Sequence, residues 1–571
     1  MLAKSGTLIV IIFFISFLQI TLAQSFKKTT GAPSEIKISS LNINQILIAF
    51  NNEGGLGYWY PVAGASWTQL SFRDPNTGYD KNGNMLIYDQ GIWILGKMQG
   101  KLHAAVSQWN TSFSPGPILD NAPAVVSHPE DSLKYRNYKI TNGDDETNID
   151  YKQWPSNWGA PADLNGKPLV KGDQTIWGVY NGYDSSKVNL PWWGPNSKNN
   201  DPFPVEVHQL AFAHKRGTVK DNVDVFANTI FLEWTIINKS PTSIDSTFIG
   251  LWNDIDLVNP YFNMMAIDTV NQLGYCYIKA DSLLNSDYIS LYERAAPSVG
   301  YVLLFGPVVH GKPSDEATFK GKMLHGFRNL SLSSFHAIES EPGYPPFANA
   351  SNSEQAWNYA NGLEAHGQQV VDPTTGKITK FQLSGNPINN QGWLYSSQEW
   401  SSGEAGFVTF TGPFNLAPLD TQWVMFALIP AEGNYAMESV KLLKEKAALL
   451  RSLPYDTLAY GTTPYKLNYI DSTNIADTVY SKPPIEFNLH QNYPNPFNSG
   501  TVIEFSLKET SSISLNVYNI LGEKVRTLMR EYKTSGEYSI QFNAKDLSSG
   551  VYFYQLKTDN SIQNKKMILL K

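Results

Sequence analysis

Over residues 487–571 the apolar side chains fall into short runs with a period of two, each run broken by a turn residue, a pattern that specifies a small β-sandwich. Ile513, Leu515 and Val517 point to one face while Ser514, Asn516 and Tyr518 point to the other, because successive side chains of a strand alternate. Residues 519–522 close a turn behind that strand. Gly536 and Gly550 punctuate later strands, where glycine turns the chain without a Cβ penalty.

The amino-terminal end has another character. Residues 1–4 are a short basic segment, 8–22 are almost unbroken apolar sequence, and Thr21, Leu22 and Ala23 make an acceptable cleavage site before Gln24. The run is too short and wrongly flanked for a membrane span, so residues 1–23 read as a removed secretory signal. No cysteine follows the site, which argues against a lipid anchor, and no second apolar stretch of about 20 residues follows to hold the chain in a bilayer.

Between these ends, 17% charged and 13% aromatic residues suit many short strands over an aromatic core and exclude disorder. The net charge of −7 comes without a long basic run, so nucleic acid is not a partner. Cys276, the single cysteine, lies in the apolar run 274–278; it cannot pair within its own chain and reads as a small buried apolar residue. Strands are expected over 45–50, 85–95, 223–237, 247–252 and 422–429. One helix is expected over 437–453, with Val440, Leu443, Ala447 and Leu450 on one stripe and lysines opposite. The expected fold is all-β. A large β-sandwich-like body of one or two packed units (24–455) ends in a single helix. A polar linker (456–483) and a small immunoglobulin-like sandwich (484–571) follow.

The carboxy-terminal segment resembles the type A C-terminal sorting domain of the type IX secretion system of the Bacteroidota. Gln491, Asn492, Tyr493, Pro494, Asn495, Pro496, Phe497 and Asn498 match the opening motif. Residues 518–522, ending at Gly522, match the central turn, 547–552 around Gly550 match the next motif, and Lys565 and Lys566 open the closing one. The resemblance implies outer-membrane export after signal cleavage and a secreted or cell-surface location. It also implies removal of the tail by a sortase-like peptidase, with the body either released or joined to a surface glycolipid. Blocks of the body, among them 151–161, 172–181, 247–256 and 357–363, resemble those of large exported proteins with this tail, a likeness that implies location and no reaction.

Three chemistries are open to the body. Calcium takes several oxygen ligands, and closely spaced Asx residues in a turn can converge on one ion. Asp74, Asn76, Asp80, Asn82 and Asn84 form one cluster, Asp144, Asp145 and Asp150 a second, and Asp254 with Asp256 a third. The same turns form without metal, since Asx side chains bond neighbouring backbone N–H groups. Trp154, Trp158, Trp177, Trp192 and Trp193 could stack on sugar rings or fold over the core. A hydrolase acting on polysaccharide would need two carboxylates, for which Glu206, Glu233, Asp254 and Asp256 are candidates. His103, His208 and His214 are possible zinc ligands, but no HExxH, GxSxG or P-loop motif is present. The reading favoured is a noncatalytic binding or structural body, adhesin-like or glycan-binding, with the hydrolase as alternative.

Overall fold

A computed structural model describes residues 38–56, 65–67, 85–124, 133–163, 165–189, 200–215, 225–255, 257, 263–278, 296–339, 347–395, 405–461, 487–492, 495–508, 511–533, 536–558 and 560–570. The chain divides into two compact units, Met1–Leu467 and Asn468–Lys571. Both are built from antiparallel sheets, as the alternation predicts. The signal segment 1–23 lies outside the described residues, as does 462–486, most of the expected linker.

The body is a sandwich of two principal sheets. In the larger, Tyr138–Thr141, Gln174–Asn181, Val205–Ala213, Ile230–Asn238, Thr421–Ala431, Ser298–Phe305, Leu273–Ile278 and Asn263–Asp268 lie side by side in that order. The facing sheet runs Leu332–Glu339, Ala405–Leu416, Ile244–Ile255, Asp89–Met98, Lys101–Val106. Alternate residues of both meet between them: Leu232, Trp234, Val424, Phe426 and Tyr301 from the large sheet, Ile92, Ile94, Ile249 and Leu251 from the other. Cys276 is buried in this layer, as its apolar run suggested.

Neither outer face is left to water. On the large sheet Phe231, Trp423, Met425 and Tyr275 are covered by the helices Ala436–Ser452 and Tyr455–Tyr460 and by the segment carrying Trp154 and Ala160. On the other sheet Trp93, Phe248, Trp252 and Phe410 lie under the helix Ser353–Ala360. This explains why the strands read as nearly continuous apolar runs: a sheet buried on both faces has no polar side to alternate with.

The helix expected over 437–453 is present, with Val440, Leu443, Ala447 and Leu450 inward. It is not the single helix of the body. Ser353–Ala360 is too short for periodicity to reveal, though Asn352 caps it, its Oδ1 accepting from Gln355 N at 2.9 Å. Tyr455–Tyr460, at the head of the expected linker, folds onto the large sheet with Leu458 and Ala459 fully buried. The lysines of the long helix are not all opposite its apolar stripe either. Lys446 is 1% exposed and donates to Asn228 Oδ1 at 2.6 Å and Pro430 O at 2.8 Å.

Strand ends fix where loops leave. Asp254 lies opposite Asp89, Ile255 opposite Ala405, and Ala405 opposite Glu339. In the large sheet Asn263 faces Ile278, Tyr277 faces Ser298, and Ser298 faces Ala431. Asn263 Nδ2 donates to Ile255 O at 2.9 Å, so these ends of both sheets coincide. The connections 256–262, 279–297, 340–404 and 432–435 therefore all leave from one end of the sandwich.

Among its described residues the C-terminal unit has seven strands in two sheets, Asn488–Leu489, Gly500–Leu507 and Gly536–Asn543 in one, and Lys524–Lys533, Ser511–Tyr518, Gly550–Lys557 and Ile562–Leu569 in the other. Numbered along the chain they pair as 1-2-5 and 4-3-6-7, so the fourth strand joins the third rather than the first sheet. Ile513, Leu515 and Val517 are buried as the alternation requires.

Between the large sheet and its helical cover lies a buried ion pair. Lys171 Nζ donates to both oxygens of Glu233 at 2.9 Å and to Tyr455 Oη at 2.6 Å. Tyr455 Oη donates to Glu233 Oε1 at 3.0 Å and Trp423 Nε1 to Oε2 at 3.1 Å. Glu233 thus alternates away from the central core but into a second buried layer, not into solvent. Removing one partner of such a pair strands a buried charge. Lys171→Met alone should cost about 3–5 kcal/mol, and Lys171→Met with Glu233→Leu should recover most of it; thermal denaturation of both variants reads the difference, and a single variant as stable as wild type would refute the pair's role.

Candidate functional site

At the loop-bearing end of the sandwich Asp89 and Asp254 sit directly opposite each other on neighbouring strands, 7% and 9% exposed. Opposed residues share a face, so the two carboxyl groups share one environment. Trp109 Nε1 donates to Asp254 Oδ2 at 2.8 Å, and the Trp109 ring stands edge-on to Trp252 at 5.2 Å. Asp89 Oδ1 accepts from Gln90 N at 2.8 Å. Burial pushes the Asp89 carboxyl well above the usual carboxylate range; the hydrogen bond from Gln90 N opposes this, and the charge of Asp254 adds to it.

One residue along, on the inner face, Gln90 and Asn253 oppose each other and are fully buried. Their side-chain amides, Tyr301 Oη, Thr409 Oγ1 and, on the outer face, Trp252 Nε1 have no hydrogen-bond partner among the described residues. A Cβ on Gly274 would meet Thr409 Cγ2 at 2.8 Å, and Gly274 lies opposite Tyr301, so groups of both sheets come close here. Buried polar atoms of this kind bind water or a polar guest. Asp89, Gln90, Trp109, Asn253 and Tyr301 carry no local signal in the sequence, because register across distant strands assembles them.

Several other candidates are bonded within the chain. Glu206 Oε2 accepts from Ile118 N at 2.7 Å and lies 3.4 Å from Lys239 Nζ, while His208 Nε2 is 2.9 Å from Oε1. Burial alone would raise its pKa, but the hydrogen bonds from His208 and Ile118 outweigh burial and hold it below the usual value. Asp144 accepts from Thr141 N and Asn148 Nδ2, Asp145 from Thr147, and Asp150 from Arg136 and Lys139 N, all within turns or at a helix start. The metal-free reading of that cluster accounts for these bonds. Trp154 and Trp177 are buried in the outer layer, and Trp154 Nε1 donates to Pro161 O at 2.8 Å, so these two fold over the core rather than offer a stacking face. His103 and His214 bond the backbone carbonyls of Pro202 and Leu458. Asp74, Asn76, Asp80, Asn82, Asp256, Trp192 and Trp193 lie outside the described residues. Among the described residues no group of three or more His, Cys, Asp or Glu is disposed to hold a metal.

In the C-terminal unit three residues of the opening motif hold the last strand. Asn495 Oδ1 accepts from Ile568 N at 2.8 Å, Phe497 N donates to Ile568 O at 3.0 Å, and Leu570 N to Phe497 O at 2.9 Å. Gln491 Nε2 donates to Lys566 O at 2.7 Å. Asn492, 2% exposed, donates from its N–H to Tyr554 Oη at 2.7 Å and from Nδ2 to Thr501 Oγ1 at 2.9 Å. The opening motif thus covers the free edge of the closing strand, which would otherwise be a template for foreign strands. Phe497 fills the core at 2% exposure. Tyr552 Oη donates to Ser548 O at 2.9 Å, a tyrosine corner entering the sixth strand beside Gly550, as in immunoglobulin-type sandwiches. Gly522 takes φ +79°, and Lys565 and Lys566 lie on the closing strand. Tyr493 and Pro494 are outside the described residues.

Residues 491–570 match the family described as the secretion system C-terminal sorting domain. The chain therefore carries a type IX sorting tail, and its route is export to the cell surface or beyond. Among the described residues no helix is long and apolar enough to cross a membrane. No curated protein matches the chain. Among solved structures, a polysaccharide lyase shares 6% identity over 95% of this chain and 47% of its own, with a TM-score of 0.23, so the chain spans about half its length. Dimeric latent PorU from Porphyromonas gingivalis shares 9% over 70% of this chain and 32% of its own, with a TM-score of 0.14. Likenesses this slight carry no argument about fold or activity.

The state of Asp89 has a measurable consequence. Its folded pKa lies above its unfolded one, so the native state binds more protons between the two, and stability falls as pH rises from about 4 through the folded value. Asp89→Asn keeps the acceptor for Gln90 N and removes the titration. The variant should melt like wild type near pH 4 and increasingly above it as pH rises to 9. Equal melting temperatures across that range would refute a buried, protonated Asp89.

Proposed function

We propose that this chain is an exported surface protein whose body binds a ligand without turning it over, the ligand being a glycan or a related surface polymer and the role adhesive. The observation that carries the binding reading is the division of acidic groups. Glu206 and Glu233, two of the carboxylates eligible for catalysis, have both oxygens engaged by in-chain partners. The indoles of Trp109 and Trp252 and the carboxylate of Asp254 instead gather where the loops leave the sandwich. Recognition residues commonly sit on loops at one end of a rigid sandwich.

In this reading, the tail delivers the folded chain to the type IX machinery. A sortase-like peptidase then cuts in the polar linker expected over 456–483. The body is released or joined to a surface glycolipid. A calcium ion at the Asx-rich turn holding Asp74, Asn76, Asp80 and Asn82 belongs to the same proposal, supported by ligand type and spacing.

One observation favours a second reading. Asp89 and Asp254 are a cross-strand pair, and burial favours the protonated form of Asp89, the form a general acid needs in glycoside hydrolysis. Glycan arrays and hydrolysis assays on the secreted protein separate the two. Binding without turnover is expected, with Trp109→Ala weakening it about tenfold, as loss of an aromatic anchor does. Turnover abolished by Asp254→Asn would instead establish the hydrolase. For calcium, millimolar ion should raise the melting temperature of the wild type and not of Asp74→Asn/Asp80→Asn; an unchanged wild type removes the ion from the proposal.

A further inference from the structure

The turn joining Ser511–Tyr518 to Lys524–Lys533 in the sorting domain has Asn519 at its first position and Gly522 at its fourth, residues a β-turn favours there, while its two central positions accept most residues. Here the tip carries Ile520 and Leu521, 70% and 77% exposed, ahead of Leu570 at 55%, Ile562 at 54% and Phe553 at 40% in the same domain. Leu489, Phe497, Phe505 and Leu515 of the same domain go into its core.

These two side chains are held out on a fixed frame. Asn519 N donates to Glu523 O at 3.0 Å and Gly522 N to Asn519 O at 3.0 Å. Asn519 Oδ1 accepts from both Leu521 N and Glu523 N at 3.0 Å, while its Nδ2 donates to Glu523 Oε2 at 2.8 Å. Gly522, at φ +79°, supplies the left-handed step that a side chain would strain. The N–H groups of 521, 522 and 523 are therefore satisfied inside the turn. What the tip offers another molecule is two apolar side chains, not a row of donors. Exposed Glu523 and Lys524 and the Arg526–Asp546 ion pair border it with charges of both signs, the polar rim that surrounds an apolar anchor in a recognition surface.

Two adjacent large apolar side chains held in solvent on a rigid turn, where the turn's own chemistry does not require them, mark a surface for contact. We propose that Ile520 and Leu521 are the anchor by which the sorting domain is read, seated together in an apolar pocket on the component of the export machinery that receives this domain. The proposal rests on the reading of 491–570 as a sorting domain, which requires such a partner, and goes beyond it by naming the contact. Preordering by Asn519 means that little conformational freedom is lost on docking, so a small anchor suffices.

The test uses the full-length chain in a host with type IX secretion, comparing wild type, Ile520→Ser/Leu521→Ser, the single Leu521→Lys, the control Ile562→Ser, and a deletion of 487–571. Protein at the surface and in the medium is measured against protein retained in the periplasm. The deletion should be retained. The double variant and Leu521→Lys should export at no more than about one-tenth of the wild-type level, the scale of losing a buried anchor. Their sorting-domain melting transition should be unchanged, since the substituted side chains touch no core, and Ile562→Ser should export normally. Wild-type export of the tip variants beside a retained deletion would overturn the proposal and leave the sorting reading intact. Export of the deletion would overturn both. A purified wild type that self-associates in sedimentation, with association lost in the double variant, would assign the tip to a second copy of the chain and likewise overturn the proposal.

Discussion

Everything in the body follows from the large sheet being apolar on both faces. Leu232, Trp234 and Ile236 go inward from one strand while Phe231 goes outward from the same strand. A strand of this kind cannot bound a protein. It requires a facing sheet on one side and a helical cover on the other, and the facing sheet, with Trp93, Phe248 and Phe410 on its far side, requires a cover in turn. The layered arrangement is the smallest that hides all of these surfaces. It also places the Lys171–Glu233 pair, which stands where the sheet's outer face meets its helices and is bound on every oxygen.

The same layering concentrates the unusual polar chemistry at one end. Along most of each strand the neighbours are apolar, and a polar group there would be costly unless paired. Where the strands run out, Asp89, Gln90, Asn253 and Asp254 occupy consecutive pairs in the register of two strands, with Trp109 bonded to one carboxylate. The loops that depart from this end are the variable part of any sandwich, and the fixed strand ends beneath them give a rigid floor. Binding at such a place and catalysis at such a place differ in what the two carboxyl groups do, not in the architecture that brings them together.

The sorting domain is governed by a different constraint, the free edge of its last strand. Gln491, Asn495 and Phe497 are bonded along that edge, so the motif at the start of the domain and the motif at its end are two halves of one structural device. The tyrosine corner at Tyr552 and the left-handed Gly522 shape the two connections at which the chain turns. With the core closed and the edge covered, the apolar pair at 520 and 521 is left as the part of the domain addressed outward.

Sequence alone determined the class of structure and the address. Period-two alternation is a local property, readable at Ile513, Leu515 and Val517 without knowledge of any partner strand, and the spaced motifs from Asn492 to Lys566 identify a sorting tail because each lies within a few residues. The long helix was legible for the same reason, while the helix at Ser353–Ala360 was too short to show its period, and Tyr455–Tyr460 was hidden in a stretch polar enough to pass for linker. Tertiary structure decided which polar residues stand together. Asp254 seemed to belong with Asp256, two positions away; its described neighbour is Asp89, a partner set by strand register across a long chain separation. Glu233, by sequence a candidate catalytic carboxylate, is the centre of a buried ion pair, because whether an outward-facing position meets water or another layer depends on what the rest of the chain lays over it.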